Sequence, residues 1–227
     1  MSNNYGCSYK FIDVNHILII AAHLDDFELG MGGTAAKLSE HNVINLLVLC
    51  KGDKPGNELV AVQRKKTCEE NCKELNITPH YMDFSDTKLD TVPQTELCNI
   101  IYNTIDALKC DTIYTHNIND IHRDHQIVSN TTRVACRMRE TSTVNELYEY
   151  SVPGSTEWSF NPVVFNTFHD ITNYVNQKNK MIYRYTTELK KFPDPMSAQS
   201  ITNRDSYHGS LCGVPYAEAF NQIFKRC

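Results

Sequence analysis

Short apolar runs alternate along the first 140 residues with longer stretches whose apolar positions recur at helical spacing. The runs predict buried strands, and the longer stretches predict helices. Strands are expected over 16–22, 43–50, 80–84 and 111–115, and helices over 33–40, 59–75, 93–108 and 125–139. Strands that alternate with helices predict an α/β fold, a Rossmann-like three-layer α/β/α sandwich around a mostly parallel sheet.

The pattern of elements changes after residue 140. We expect two further strands over 147–151 and 163–168, and one longer helix over 171–189 that Pro193 and Pro195 stop. No linker rich in Gly, Ser or Pro and no internal repeat is visible. A chain of 227 residues is long enough to bury a sizeable core. We therefore predict a single domain over residues 1–227.

Composition and charge narrow the classes of function. The chain is 41% hydrophobic and 22% charged, with 22 basic and 27 acidic residues and a net charge of −5. Because no broad basic field is available to hold phosphate backbones, nucleic acid is not an expected partner. The apolar runs fall far short of the roughly 20 residues needed to cross a bilayer, and the first residues do not resemble a secretory leader. These features favour a soluble, cytoplasmic protein without a membrane partner.

Nine cysteines are scattered along the chain without a C-x-x-C pair. An odd number in a chain of this size favours reduced thiols over a disulfide framework. Cys68 and Cys72 share one helix face, and their spacing is compatible with a metal site. Free cysteine packs like a small hydrophobic side chain, however, so we expect both in the core.

The densest group of titratable residues directly follows the first predicted strand. Residues 22–30 have the sequence AHLDDFELG and include His23, Asp25 and Asp26. Ligands of open α/β sheets bind beyond the carboxyl ends of the strands, so an active site is expected here. In a turn that enters a helix, the spacing lets His23 and Asp26 converge on one ion, with Asp25 directed elsewhere. Buried groups of this kind need a partner, water or a metal.

A second group, His122-Arg123-Asp124-His125, follows the fourth predicted strand after a polar loop. If the first and fourth strands are neighbours, both groups meet at one rim of the sheet and offer His, Asp and His to a single ion. Three protein ligands and one open position are typical of hydrolytic zinc. The spacing does not decide whether His122 or His125 is the ligand, and a helix-capping network remains an alternative to a metal site.

A hydrolytic site also needs groups that move protons. A carboxylate outside the ligand set can take a proton from the attacking water, and Asp25 fits this role. The histidine that is not a ligand can donate to the oxyanion of a tetrahedral intermediate. The turn Gly30-x-Gly32-Gly33 also fits a phosphate-binding loop between a strand and a helix, but the third glycine of a dinucleotide fingerprint is missing. A nucleotide-binding module is therefore the alternative from a different class.

Together these residues resemble the PIG-L/LmbE-like family of zinc-dependent N-deacetylases, the glycosyl de-N-acetylases. The family pattern A-H-P-D-D-x-x-L-G-x-G-G-T is matched by residues 22–34, and its later H-x-D-H by residues 122–125. Weaker similarities, such as Asp86 and residues 216–220, extend over most of the chain. The resemblance implies an LmbE-like fold and removal of an acetyl group from an N-acetylated amino sugar or its conjugate.

The resemblance also implies a role for each matched residue. His23, Asp26 and His125 would bind one Zn²⁺ or another divalent ion, and Asp25 would be the general base. His122 would stabilise the oxyanion or protonate the leaving amine. The partner implied is a small N-acetylated sugar. An amidase for a larger acyl group is the alternative within the hydrolases, and a homo-oligomer is compatible with the sequence.

Softer matches surround this set. Asp124 would orient or tune a histidine, and we therefore predict it as a member of the catalytic set. Arg64 and Asp86 match positions that contact substrate hydroxyls in sugar-processing members. The chain departs from the family pattern at Leu24, where proline is usual, and at Thr67, where a glutamate often supports the matched arginine. Outside the motifs, Trp158, Tyr207 and His208 are either wall residues of the pocket or ordinary packing residues.

Overall fold

The computed structural model describes residues 14–53, 58–140, 142–159 and 161–226. Its strands are β1 (His16–Ala21), β2 (Val43–Cys50), β3 (Thr78–Phe84), β4 (Thr112–His116), β5 (Glu146–Tyr150), β6 (Thr167–Asp170) and β7 (Ala217–Lys225). Its helices are α1 (Asp26–Leu38), α2 (Glu58–Glu74), α3 (Gln94–Leu108), α4 (Arg123–Ala135), α5 (Val175–Tyr183) and α6 (Ala198–Cys212). These seven strands form one sheet in the order β3-β2-β1-β4-β5-β7-β6.

Strands β1 to β5 are parallel, and β7 runs antiparallel to both of its neighbours, β5 and β6. The predicted mostly parallel sheet is confirmed. Alternate residues of β1 face opposite sides: Ile17 and Ile19 pack toward α1, α2 and α5, whereas Leu18 and Ile20 pack toward α3 and α4. Helices therefore cover both faces, which confirms the three-layer sandwich.

The cysteines behave as the sequence predicts. Cys68 and Cys72 on α2 are fully buried in the core that lies under α1 and α2. The seven cysteines within the described ranges are all free thiols. Their role in this part of the chain is packing rather than cross-linking.

Helix α1 begins earlier than its glycines suggest. The sequence predicts a loop up to residue 33, but α1 starts at Asp26 and continues through a break at Met31, where φ is −145° and ψ is 23°. A Cβ at Gly30 would lie 2.5 Å from the ring of Tyr150, and one at Gly33 would lie 2.8 Å from Ile171. Because glycine has no Cβ, α1 can pack closely against its neighbours at both positions. The two glycines therefore serve helix packing and lie within α1 rather than in a loop.

The C-terminal third differs most from expectation. The helix expected over 171–189 is the shorter α5, and the strand expected over 163–168 lies at Thr167–Asp170. Helix α6 and strand β7 were not predicted, although the similarity at 216–220 falls on β7. Small polar residues dominate α6, and β7 places a glutamate in the core, so neither has a clear amphipathic period.

A buried ion network explains that glutamate and joins α1 to the C-terminal elements. The Nζ atom of Lys178 on α5 lies 2.7 Å from Asp205 Oδ2 on α6 and 2.7 Å from Glu218 Oε1 on β7. The Glu218 carboxylate also accepts the backbone N–H groups of Gly33 (3.0 Å) and Thr34 (2.6 Å), just after the break in α1. The first helix is therefore held by the last strand.

Candidate active site

The site lies at the point where the strand order reverses. Within the sheet, β2 and β3 lie on one side of β1, and β4 and β5 lie on its other side. The segment 22–26 follows β1, and the segment 117–125 follows β4, its paired neighbour. Both groups of polar residues thus share one rim, the usual binding crevice of such sheets.

Three of the predicted side chains converge there. His23 Nδ1 lies 3.2 Å from His125 Nε2 and 3.4 Å from Asp26 Oδ2, and His125 Nε2 lies 3.4 Å from Asp26 Oδ1. All three residues are buried. Ligand atoms of a tetrahedral zinc site, with bonds of about 2.0–2.1 Å, stand about 3.3–3.4 Å apart. The donor types therefore fit zinc, with the two ring nitrogens near tetrahedral spacing and one oxygen of Asp26 beside each of them.

The electrostatics of this trio also favour a cation. Burial opposes protonation of His23, but the carboxylates of Asp26 and Asp124 outweigh it and raise its pKa to about 10. Burial likewise opposes protonation of His125, and Asp26 and Asp120 raise its pKa to about 9. The carboxylates thus stabilise positive charge between His23 Nδ1 and His125 Nε2. Protonating both nitrogens would bring two N–H groups together, whereas a divalent cation supplies the positive charge without this clash.

Asp124 lies behind the trio rather than within it. Its Oδ2 is 3.1 Å from His23 Nε2, the ring nitrogen that faces away from His125. Its two oxygens also accept the backbone N–H groups of Thr87 (2.7 Å) and Leu89 (3.2 Å). Despite burial, His23 and these N–H groups lower the pKa of Asp124 below its usual value. An ionised Asp124 is thus anchored to orient His23.

His122 stands beside both histidines as the first residue before α4. Its Nδ1 accepts the backbone N–H of Asp124 (3.3 Å), so the proton of a neutral ring is on Nε2. Burial and then the charges of His125 and His23 lower the pKa of His122 to about 4. Candidate ligand atoms of His23, His122 and His125 also lie within 4.8 Å of one another. The distances to Asp26 favour His125 as ligand and leave His122 as a neutral donor.

Arg64 links Asp25 to the polar wall of the pocket. Its Nη2 donates to Asp25 Oδ1 (2.9 Å), its Nη1 lies 3.6 Å from Asp86 Oδ2, and its Nε lies 3.8 Å from Glu188 Oε1. Asp86 Oδ1 in turn accepts the N–H of Gly52 (2.9 Å). Glu188, from the segment after α5, thus gives Arg64 an acidic neighbour although Thr67 stands in α2 where the family pattern often has a glutamate.

An open pocket of about 280 Å³ joins these residues. All of the predicted site residues except Asp124 line it, and the rest of its lining comes mainly from 152–155 and from after α5. Trp158, Tyr207 and His208 lie outside this lining. The lining consists of His23, Asp25, Asp26, Leu29, Arg64, Asp86, Thr87, His122, His125, Val152, Pro153, Gly154, Ser155, Glu188 and Met196.

Sequence reasoning missed two buried residues of the site. His116, the last residue of β4, accepts the N–H of Ala22 through Nε2 (2.9 Å) and lies 3.2 Å from Asp26 Oδ2. Burial lowers its pKa to about 4, so this ring is neutral. Asp120 lies 3.1 Å from His125 Nδ1. The signal for His116 was its place directly after the strand predicted over 111–115, just as His23 directly follows the strand predicted over 16–22, whereas Asp120 lies in a loop and carries no such signal.

The glycine turn is not arranged as a phosphate site. Anion-binding loops direct backbone N–H groups at the ligand, but those of Gly33 and Thr34 already donate to Glu218. The protein's own carboxylate therefore occupies the donors that the nucleotide-binding alternative would need.

Within the described ranges, no helix is both long and apolar enough to cross a membrane.

A family model and a curated relative match the sequence of this chain. The family model described as PIG-L, GlcNAc-PI de-N-acetylase, matches residues 18–136, which include both polar groups. The uncharacterized deacetylase YaiS of Escherichia coli (strain K12) is 31% identical over 159 residues, covering 66% of this chain and 80% of that protein.

Solved structures show the breadth of this fold. N,N'-diacetylchitobiose deacetylase from Pyrococcus horikoshii has a TM-score of 0.70 and 20% identity, with 93% of this chain and 84% of that chain covered. The 4-carboxy-2-hydroxymuconate hydratase GalB from Pseudomonas putida KT2440 has a TM-score of 0.72 and 16% identity, covering 94% and 98%. The fold alone thus does not fix the reaction. The sequence matches do fix the family: the chain belongs to the PIG-L family of de-N-acetylases.

Proposed function

We propose that the protein is a zinc-dependent hydrolase that removes the acetyl group from an N-acetylated amino sugar or its conjugate, releasing acetate and a free amine. The observation that carries the proposal is the convergence of His23, Asp26 and His125 at 3.2–3.4 Å, beside Asp25 and His122 in one pocket. The sugar class is supported by the family description and by the name of the Pyrococcus horikoshii relative. The cell location that we propose is the cytoplasm.

His23, Asp26 and His125 would hold the zinc ion, which when bound activates water and polarises the acyl oxygen. Asp25 accepts a proton from the attacking water and is oriented for this by Arg64, which binds its Oδ1. His122 donates from Nε2 to the oxygen that becomes negatively charged. The C–N bond then breaks, and the proton collected by Asp25 passes to the leaving nitrogen.

The pocket lining offers the substrate two kinds of contact. Arg64 and Asp86 are polar groups suited to sugar hydroxyls, whereas Leu29, Val152 and Met196 are apolar groups suited to the acetyl methyl group. We propose a small N-acetylated sugar as the partner. Nothing in this arrangement requires nucleic acid, and a second copy of the chain is compatible with it.

The test is release of primary amine from a panel of N-acetylhexosamine conjugates. Zinc-loaded protein is expected to release amine from at least one member, and removal of zinc by a chelator should abolish the release until zinc is returned. Release that survives chelation would contradict zinc dependence. Zinc binding without release from any member would contradict the acetyl-sugar assignment and favour a larger acyl group.

A further inference from the structure

Asp120 is a fully buried carboxylate in the loop between β4 and α4. Its Oδ1 accepts the backbone N–H of His122 (2.7 Å), and its Oδ2 accepts the hydroxyl groups of Ser155 (2.9 Å) and Thr156 (2.5 Å). The same Oδ2 lies 3.1 Å from His125 Nδ1. One carboxylate therefore contacts both histidines of the second group and the chain segment that forms a wall of the pocket.

The position of Asp120 decides which nitrogen of His125 is free. Nε2 is the nitrogen that converges with His23 and Asp26. The buried Nδ1 makes no well-aligned hydrogen bond within the described residues, and Asp120 Oδ2, at 3.1 Å, is its ion-pair partner. An anionic oxygen beside Nδ1 keeps the proton there, which leaves the lone pair on Nε2. Asp124 has the mirror-image relation to His23, in which Nε2 is backed by the carboxylate and Nδ1 converges.

We propose that Asp120 is a positioning residue, which fixes the tautomer and orientation of His125 and connects that ring to the pocket wall through Ser155 and Thr156. This inference rests on the proposed zinc site, because it concerns a ligand of that site. Asp120 does not line the pocket and acts through His125. Ser155 does line the pocket, so the wall and the ligand share one hydrogen-bonded carboxylate.

The first measurement is zinc affinity, determined by competition with a chromogenic chelator. Asp120→Asn keeps the size of the side chain but removes the charge, and we expect it to weaken zinc binding about 10–100-fold. Asp124→Asn should weaken it by a similar factor through His23. The control is Asp106→Asn, which removes an exposed carboxylate of α3 paired with Lys109 and should leave zinc affinity unchanged.

The second measurement separates positioning from a general loss of structure. In cobalt-loaded protein, proton NMR should show two paramagnetically shifted, slowly exchanging N–H signals, one from each backed histidine. Asp120→Asn should remove the signal of His125 and keep that of His23, and Asp124→Asn should do the reverse. A merely structural effect would change both signals together.

The outcomes are distinct. Wild-type protein that binds neither zinc nor cobalt would overturn the proposed function, and this inference with it. Wild-type binding together with Asp120→Asn affinity within twofold of wild type, or with both N–H signals intact, would overturn the inference alone. If Asp120→Asn does not fold, Thr156→Val decides, because it keeps the carboxylate and removes one hydrogen bond. A weakening of about threefold with faster exchange of the His125 signal would support the proposal, and an unchanged signal would overturn it.

Discussion

Two clusters of buried charge in this protein are balanced in different ways. Where α1, α5, α6 and β7 meet, Lys178 lies 2.7 Å from Asp205 and from Glu218, and all three are at most 1% exposed. At the rim of the sheet, three buried carboxylates instead surround histidines, and within the described ranges no lysine or arginine forms an ion pair with them. Those carboxylates are Asp26, Asp120 and Asp124. We call them and their histidines the rim cluster, and we call Lys178, Asp205 and Glu218 the lysine cluster.

The difference separates a structural cluster from a binding cluster. In the first cluster the basic group, Lys178, is part of the chain itself, and folding alone brings it to both carboxylates. In the second, positive charge comes from protons on His23 and His125 or from an ion between their ring nitrogens. In this protein, the buried carboxylates that indicate a ligand are therefore those whose compensating charge is exchangeable.

The largest effect expected from the rim cluster is loss of turnover in Asp25→Asn. The amide cannot accept the proton of the attacking water, so kcat should fall about 10²–10⁴-fold, the usual contribution of a general base. Zinc content, measured by atomic absorption, should stay at the wild-type value because Asp25 is not in the ligand trio. Unchanged turnover would refute the role of Asp25, and loss of zinc would place Asp25 among the ligands.

The largest effect expected from the lysine cluster is on stability. Lys178→Met leaves two buried carboxylates without a cation, and we expect it to lower the free energy of unfolding by about 3–5 kcal/mol. Urea denaturation measures this change. The matched control on the same helix is Lys180→Met. The exposed Lys180 side chain pairs with Glu74, and its loss should lower the free energy of unfolding by no more than about 1 kcal/mol. Equal losses of stability in the two variants would contradict the structural role of Lys178.

Added zinc should stabilise the protein through the rim cluster alone. At a free zinc concentration 100 times the dissociation constant, binding to the native state adds about 2.7 kcal/mol to the free energy of unfolding. The thermal unfolding midpoint should rise accordingly for wild type. His125→Ala should abolish this rise, whereas Lys180→Met should retain it in full. A full rise in His125→Ala would show that zinc binds elsewhere.

The smallest of these effects concerns the packing of α1. Gly33→Ala would place its Cβ 2.8–3.0 Å from three atoms of Ile171, and overpacking of this kind costs about 1–3 kcal/mol. Gly32→Ala is the matched control, because its Cβ would meet side-chain atoms of Met181, Lys178 and Glu28 at longer distances, the nearest at 3.2 Å. Urea denaturation should show a loss for Gly33→Ala and little change for Gly32→Ala. The reverse order would contradict the packing role assigned to Gly33.

The sequence predicted the parallel half of the fold and the convergence of its two polar groups. This was accessible because β1 and β2 are clear apolar runs, because strands and helices alternate from β1 to α4, and because side chains that follow neighbouring parallel strands must share a rim. The antiparallel strand β7 was not accessible, since Glu218 interrupts its apolar pattern and is buried only because Lys178 compensates it. Asp120 and Glu188 enter the site through tertiary contacts, which local spacing does not encode.

The hydrogen bonds from Gly33 and Thr34 to Glu218 have a consequence for the order in which the protein is made. Protein synthesis delivers α1 early, but the carboxylate that binds its backbone emerges about 185 residues later. A nascent chain that ends before β7 therefore holds every residue of both motifs while the helix that begins at Asp26 still lacks its anchor. The anchoring of α1, the helix that carries Asp26, therefore has to wait until β7 has been synthesised.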